Sequence, residues 1–159
     1  LTDELKDNLY DFIIVNGVLH EVEDSNNFLK SISHLSNSKT YIYINVPNAN
    51  SLHRKLALEM KIIDNIFEKS NRNKIFEQKI IYSLDSLTEQ ILTNIPNAKI
   101  INCESFFLKP FTHEQMMNLV KEKIINHQVL NALFSITDKL NDLGSEIFCL
   151  FKVQSKYSK

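Results

Sequence analysis

Hydrophobic residues first run without interruption at Phe12-Ile13-Ile14-Val15, and the run ends at Asn16-Gly17. An apolar stretch of this length with no polar alternation predicts a strand buried on both faces, as in a parallel sheet. The period then changes. Phe28, Leu29, Ile32 and Leu35 recur at helical spacing, with Asp24 or Ser25 placed to cap the helix. Alternation returns from Thr40 to Val46, with Ile42, Ile44 and Val46 on one face and Tyr41, Tyr43 and Asn45 on the other, and this second strand ends in Pro47-Asn48. Two strands of a doubly wound sheet that both end in short polar residues predict a ligand crevice at their carboxyl ends. Asn16 and Asn48 are its first candidates.

Beyond Ser51 the apolar positions Leu52, Leu56, Met60 and Ile63 predict a helix that buries them and leaves His53, Arg54, Lys55, Glu59 and Lys61 outside. Residues 64–79 read as a partly packed basic loop pinned by Ile66, Phe67, Ile75 and Phe76, either solvated or serving as a lid over an anionic substrate. Ser83 or Asp85 starts a helix with Leu84, Leu87, Ile91 and Leu92 on one side, which Asn94-Ile95-Pro96-Asn97 ends. A strand from Ala98 to Cys103 follows. Thr112 and Gln115 have capping-box spacing, opening a helix with Met116, Leu119 and Val120 inward. A further helix over Asn126 to Leu140 is expected to bury Val129, Leu130, Leu133 and Phe134 with Ile136 or Thr137, and to stop at Gly144 in a left-handed cap. The last strand runs from Glu146 to Val153.

Composition narrows the function classes. The 159 residues, 43% hydrophobic and 23% charged, suit one soluble domain, with a polar stub at 1–9, a core over 10–153 and a frayed tail at 154–159. A formal net charge of -1 supplies no basic field for nucleic acid or an anionic membrane surface. No apolar run approaches the ~20 residues that span a bilayer, and no signal peptide is evident, so the chain reads as cytoplasmic. Cys103 and Cys149 lie in apolar segments without CxxC spacing and read as small buried hydrophobes. His113-Glu114 matches half of a zincin motif, but Met117 occupies the second histidine's place, so no metal is expected. With only two glycines, Gly17 and Gly144, no glycine-rich phosphate loop can be built, which disfavours a nucleotide-sugar enzyme.

The segment Asp11 to Asp24 resembles the fourth strand and following loop of class I S-adenosylmethionine-dependent methyltransferases, where a VLEHV-like sequence is common. Tyr41 to Arg54, containing Val46-Pro47-Asn48 and Ser51-Leu52-His53-Arg54, resembles their fifth strand and its continuation. Leu84-Asp85-Ser86-Leu87, Phe107-Leu108-Lys109-Pro110 and Asp142-Leu143-Gly144-Ser145-Glu146-Ile147 also fall in the family's order. His20-Glu21 stands where Glu-His is usual, and Asn37-Ser38-Lys39 replaces a Pro-Gly-Gly turn. The resemblance covers only the family's C-terminal half. It implies a partial Rossmann-like sheet of strands equivalent to four to seven, two parallel and a closing antiparallel pair, with helices and a helical insert before the last strand.

The resemblance implies transfer of a methyl group from S-adenosylmethionine to a small-molecule acceptor, a sugar or polysaccharide precursor among the candidates. Asn16, Gly17, Val18 and Leu19 would hold the cofactor, and His20, Glu21, Asn48, His53 and Arg54 would face the acceptor. His20, with an ordinary pKa of ~6.5, suits a general base, although it equally suits a loop-orienting role. His53 and Arg54 suit a solvated face as well as a substrate site. The family's glycine-rich cofactor loop precedes the matched region, so this chain is expected to be inactive alone. An apolar first strand with an unpaired edge then invites a homo-oligomer or association with an N-terminal half. The competing reading is a noncatalytic interaction module that pairs through that edge.

Overall fold

The computed structural model describes residues 10–69, 78–137, 139–140 and 142–154. Among them are four strands, β1 (Phe12–Asn16), β2 (Tyr41–Pro47), β3 (Ala98–Phe106) and β4 (Glu146–Val153). The five helices are α1 (Ser25–His34), α2 (Leu52–Glu59), α3 (Leu84–Asn94), α4 (His113–Lys121) and α5 (His127–Thr137). The strands form one sheet in the order β1-β2-β4-β3. β1 and β2 are parallel, and β4 runs antiparallel to both of its neighbours. The last strand enters between β2 and β3, so the expected closing antiparallel pair is β4 with β3 at the sheet's edge.

Strand alternation divides the sheet into two unlike faces. Ile42, Ile44 and Val46 of β2 and Ile147, Cys149 and Phe151 of β4 are fully buried, together with Leu29 and Ile32 of α1 and Leu87 and Ile91 of α3. Each such side chain stabilises the fold by about 1.5–3 kcal/mol. Both helices begin as their sequences require: the Asp24 side chain accepts from the Asn27 backbone N–H at 2.9 Å, and Ser83 forms a capping box with Ser86. In the turn before β2, Asn37 accepts from the Lys39 N–H at 2.8 Å, so an asparagine side chain closes the reversal.

The other face carries Phe12, Tyr41, Tyr43 and Phe148. Phe12 stacks on Tyr41 and Tyr43 on Phe148, each with ring centroids 5.2 Å apart. At the edge, Phe12 is 60% and Ile14 68% exposed. The α4–α5 pair stands near one end of this face. The Thr112–Gln115 capping box is present, but α4 buries only Met116 and α5 only Thr137. Val129, Leu130 and Phe134, expected inside, are exposed, and of the alternatives Ile136 and Thr137 it is Thr137 that is buried.

Three further expectations are corrected. The stripe assigned to α2 is only partly covered: Leu52 and Ile63 are half-buried while Leu56 and Met60, 68%, are exposed, and Arg54, expected outside, bonds the carbonyls of Ile66 and Glu68. Gly144 is not a left-handed cap; Asp142 takes the positive φ of 65°. A Cβ at Gly144 would overlap the backbone of Phe106, so close approach demands the glycine. Cys103 and Cys149 are joined in a disulfide across β3 and β4, since the antiparallel register sets them directly opposite, with Cα atoms 4.3 Å apart. Of the basic loop, 70–77 lies outside the described residues, including Arg72, Lys74, Ile75 and Phe76.

Candidate functional site

The parallel register places Asn16 at the tip of β1 opposite Asn45 of β2. Gly17 then turns the chain at φ 65°, where an L side chain is strained, and its N–H donates to the Asn45 carbonyl at 3.1 Å. The Glu21 N–H donates to the Val18 carbonyl at 2.9 Å and tightens the loop. Leu19, expected at a cofactor, is fully buried, and its side chain belongs to the hydrophobic core. Val18 is exposed.

Leu19 anchors the loop so that His20, also buried, lines a cavity of about 860 Å3. The cavity lies between the carboxyl ends of β1 and β2 and the α4–α5 pair. Asn16, Gly17, His20, Tyr43 and Asn45 contribute one side. Phe106, Phe107, Met116, Met117, Leu133 and Phe134 supply apolar wall, and Lys109, Ser145 and Glu146 add polar groups. Its size falls within the usual range of small-molecule sites. Phe107 holds φ 59°, an uncommon backbone state for a bulky residue, and such states cluster at functional sites.

Three polar atoms of the lining are buried without a hydrogen-bond partner in the protein: His20 Nδ1, Asn45 Oδ1 and Ser145 Oγ. Buried polar atoms are normally paired, so these three are places where a ligand or water can bond, as are Ser51 Oγ and His53 Nδ1 outside the lining. The other ring nitrogen of His20 lies 3.5 Å from Glu21 Oε1. Burial lowers the pKa of His20, partly offset by the Glu21 carboxylate, so its imidazole is neutral near pH 7. Burial raises the pKa of Glu146, and Lys109 pulls it partly back; burial and then Glu146 raise that of the Tyr43 phenol.

Asn48 is not in the lining. Its amide Nδ2 donates to the carbonyls of Asp142 and Gly144, both at 2.7 Å, and its Oδ1 accepts from the Asn50 N–H at 2.9 Å. The residue therefore clamps the tip of β2 to the chain entering β4, and both hydrogens of its amide nitrogen are spent there. Arg54 is likewise committed to the carbonyls of Ile66 and Glu68. His53 lies away from the cavity lining, half-buried, with its pKa pushed down to about 4 by burial, Lys109 and Arg54. Glu21 stays beside His20.

Sequence reasoning missed Asn45, Tyr43, Ser145 and Glu146 as site residues. An available signal was polarity inside strands: Asn45 interrupts the apolar run of β2, and Ser145-Glu146 opens β4. Among the described residues, no three His, Cys, Asp or Glu side chains stand together to hold a metal ion. No helix among them is long and apolar enough to cross a membrane.

No protein-family model matches the chain, and no curated protein matches it in sequence. Solved structures match it in shape. A Thermotoga maritima S-adenosylmethionine-dependent methyltransferase, described as a possible histamine N-methyltransferase, aligns over 94% of this chain and 58% of its own, with 12% identity and a TM-score of 0.54. A complex between a Haloferax volcanii methyltransferase activator and a methyltransferase aligns over 95% and 57%, with 7% identity and a TM-score of 0.54. An Archaeoglobus fulgidus S-adenosylmethionine-dependent methyltransferase aligns over 95% and 62%, with 13% identity and a TM-score of 0.49. The chain thus spans 57 to 62% of the length of these structures. Its four-stranded mixed sheet and flanking helices are similar in fold to part of S-adenosylmethionine-dependent methyltransferase structures.

Proposed function

We propose that this chain forms the acceptor side of an S-adenosylmethionine-dependent methyltransferase. The observation that carries the reading is the trio of unpartnered polar atoms: His20 in the loop after β1, Asn45 near the end of β2, and Ser145 just before the antiparallel β4. S-adenosylmethionine supplies an electrophilic methyl group on a sulfonium, and positioning provides much of the rate. In this reading Asn16, Gly17 and the Val18 backbone meet the cofactor's amino-acid end. An acceptor lone pair forms the new bond to the methyl carbon as the carbon–sulfur bond breaks, leaving a neutral thioether. His20 receives the acceptor's proton on Nδ1, while Glu21 holds the opposite ring nitrogen.

The chain contains no glycine-rich loop, so the remaining cofactor contacts come, in this proposal, from other polypeptide. Strand equivalence to the family's fourth to seventh strands is part of the same reading. So is a cytoplasmic setting, where the Cys103–Cys149 bond would depend on the local redox poise. Selective nitrogen-15 glycine labelling tests the cofactor assignment, because the chain has only Gly17 and Gly144. Titration with S-adenosylhomocysteine should move the Gly17 amide signal and leave Gly144 in place. Two stationary signals at millimolar ligand would count against the reading.

A second reading is a noncatalytic module that pairs through β1, favoured by exposed Phe12 and Ile14 on a strand that, among the described residues, is bonded only to β2. It requires self-association or a protein partner. A sedimentation profile that stays monomeric at high concentration removes the self-pairing version.

A further inference from the structure

The proposed reading leaves the acceptor open between a sugar and other small molecules, and the cavity distinguishes them. Its walls from β3, α4 and α5 are hydrocarbon and aromatic: Phe106, Phe107, Met116, Met117, Leu133 and Phe134. Phe107, Met117 and Phe134 are exposed although they are large and apolar, and all three border the same space. Convergent exposed apolar groups mark a surface that a ligand covers. A sugar would set hydroxyls against these walls without partners, at a desolvation cost.

Four of the polar groups of the lining can accept hydrogen bonds, while Lys109, close enough to act on Glu146, is a cation of the same lining. Asn45 Oδ1 and the Glu146 carboxyl oxygens accept hydrogen bonds, the neutral His20 has one lone-pair nitrogen, and the Ser145 hydroxyl can accept. An amine, with two or three N–H groups, satisfies several acceptors at once; a carboxylate or phosphate satisfies none of the first three.

We infer that the cavity takes a molecule with an aliphatic or aromatic body and a single amine, the amine seated among His20, Asn45, Ser145 and Glu146. Methylation of that amine rests on the proposed transfer reading. The amine then gives one proton to His20 Nδ1, and its freed lone pair takes the methyl group as the carbon–sulfur bond breaks.

The chain's three methionines allow a direct test. Met116 and Met117 border the cavity, and Met60 lies exposed beyond α2. With methyl carbon-13 methionine, octylamine or phenethylamine should shift the Met116 and Met117 signals and leave Met60 unmoved; comparison of the two separates aliphatic from aromatic bodies. Phe134→Asp, at a position 69% exposed and so tolerant of charge, should weaken binding at least about tenfold. Glu146→Gln should weaken octylamine more than octanol. The inference is overturned if glucose or glucosamine shifts Met116 and Met117 while the amines do not. It is also overturned if those signals move with protein concentration alone, which would show a second copy covering the wall. Glycine-15N signals in the same sample keep the two proposals separate: amine binding with Gly17 unmoved by S-adenosylhomocysteine sinks methyl transfer alone, and the converse sinks the amine site alone.

Discussion

The Gly17 N–H and the Asn45 carbonyl, 3.1 Å apart, fasten the loop bearing His20 to the strand bearing the unpaired Asn45 amide oxygen. The bond forms only because Gly17 sits at φ 65°. No heavy atom lies within 4 Å of a Cβ built there, so a side chain meets conformational strain rather than a clash. Gly17→Ala should therefore destabilise the fold by about 1–2 kcal/mol, and Gly17→Asn by less, as asparagine tolerates the left-handed region. Urea midpoints of the three proteins at equal slope check the order.

Much of this arrangement is legible in the chain, and the failures have identifiable causes. Uninterrupted Phe12 to Val15 and alternating Thr40 to Val46 both give strands, but the expectation that the unbroken run is buried on both faces fails, because Phe12 and Ile14 on one face of β1 are exposed. Spacing also overstates burial at α2 and α5, where Leu56, Met60 and Phe134 have helical spacing but are exposed. Periodicity locates a helix's apolar face; only tertiary contact determines whether that face is covered. Asn48 was legible as a polar strand tip, yet register placed Asn45 at the cavity and left Asn48 to bond Asp142 and Gly144. The Cys103–Cys149 pair depends on the register of strands 46 residues apart in sequence, which spacing does not reveal.

Gly144 should be less tolerant than Gly17, for a different reason. Its missing Cβ makes room for the Phe106 backbone, and its carbonyl accepts from Asn48 Nδ2 at 2.7 Å. Gly144→Ala must displace β3 or the entry to β4 and disturb that clamp. Overpacking of this kind costs about 1–3 kcal/mol, and a weakened buried hydrogen bond adds about 1 kcal/mol. Thermal melts should therefore show a larger loss for Gly144→Ala than for Gly17→Ala; equal losses would mean that β3 gives way freely.

His53 should make the fold acid-sensitive. Its folded pKa of about 4 lies below the ordinary 6.5, so between these values the unfolded chain binds a proton that the folded chain excludes. Stability then rises with pH from about 4 to 6.5 and falls on acidification through that window. After allowance for partial exposure the contribution is on the order of 2 kcal/mol. His53→Gln, which cannot charge, should flatten the difference between urea midpoints at pH 4.5 and pH 7, whereas an unchanged slope would place the acid sensitivity elsewhere.

Glu146 should act in the opposite sense. Burial raises its folded pKa above the ordinary carboxylate value, so the folded state holds a proton more firmly than the unfolded state. The resulting stabilisation is present at pH values below the ordinary value and is lost as pH rises through the folded pKa. Ionising Glu146 in its buried position therefore costs the fold stability, although Lys109 offsets part of the cost. Glu146→Gln should raise the melting temperature at pH 7 and leave it nearly unchanged at pH 4, while lowering affinity for amines. Stability gained together with binding lost would identify Glu146 as a group whose charge serves the ligand. If both fell together, the carboxylate would instead be a structural partner of Lys109.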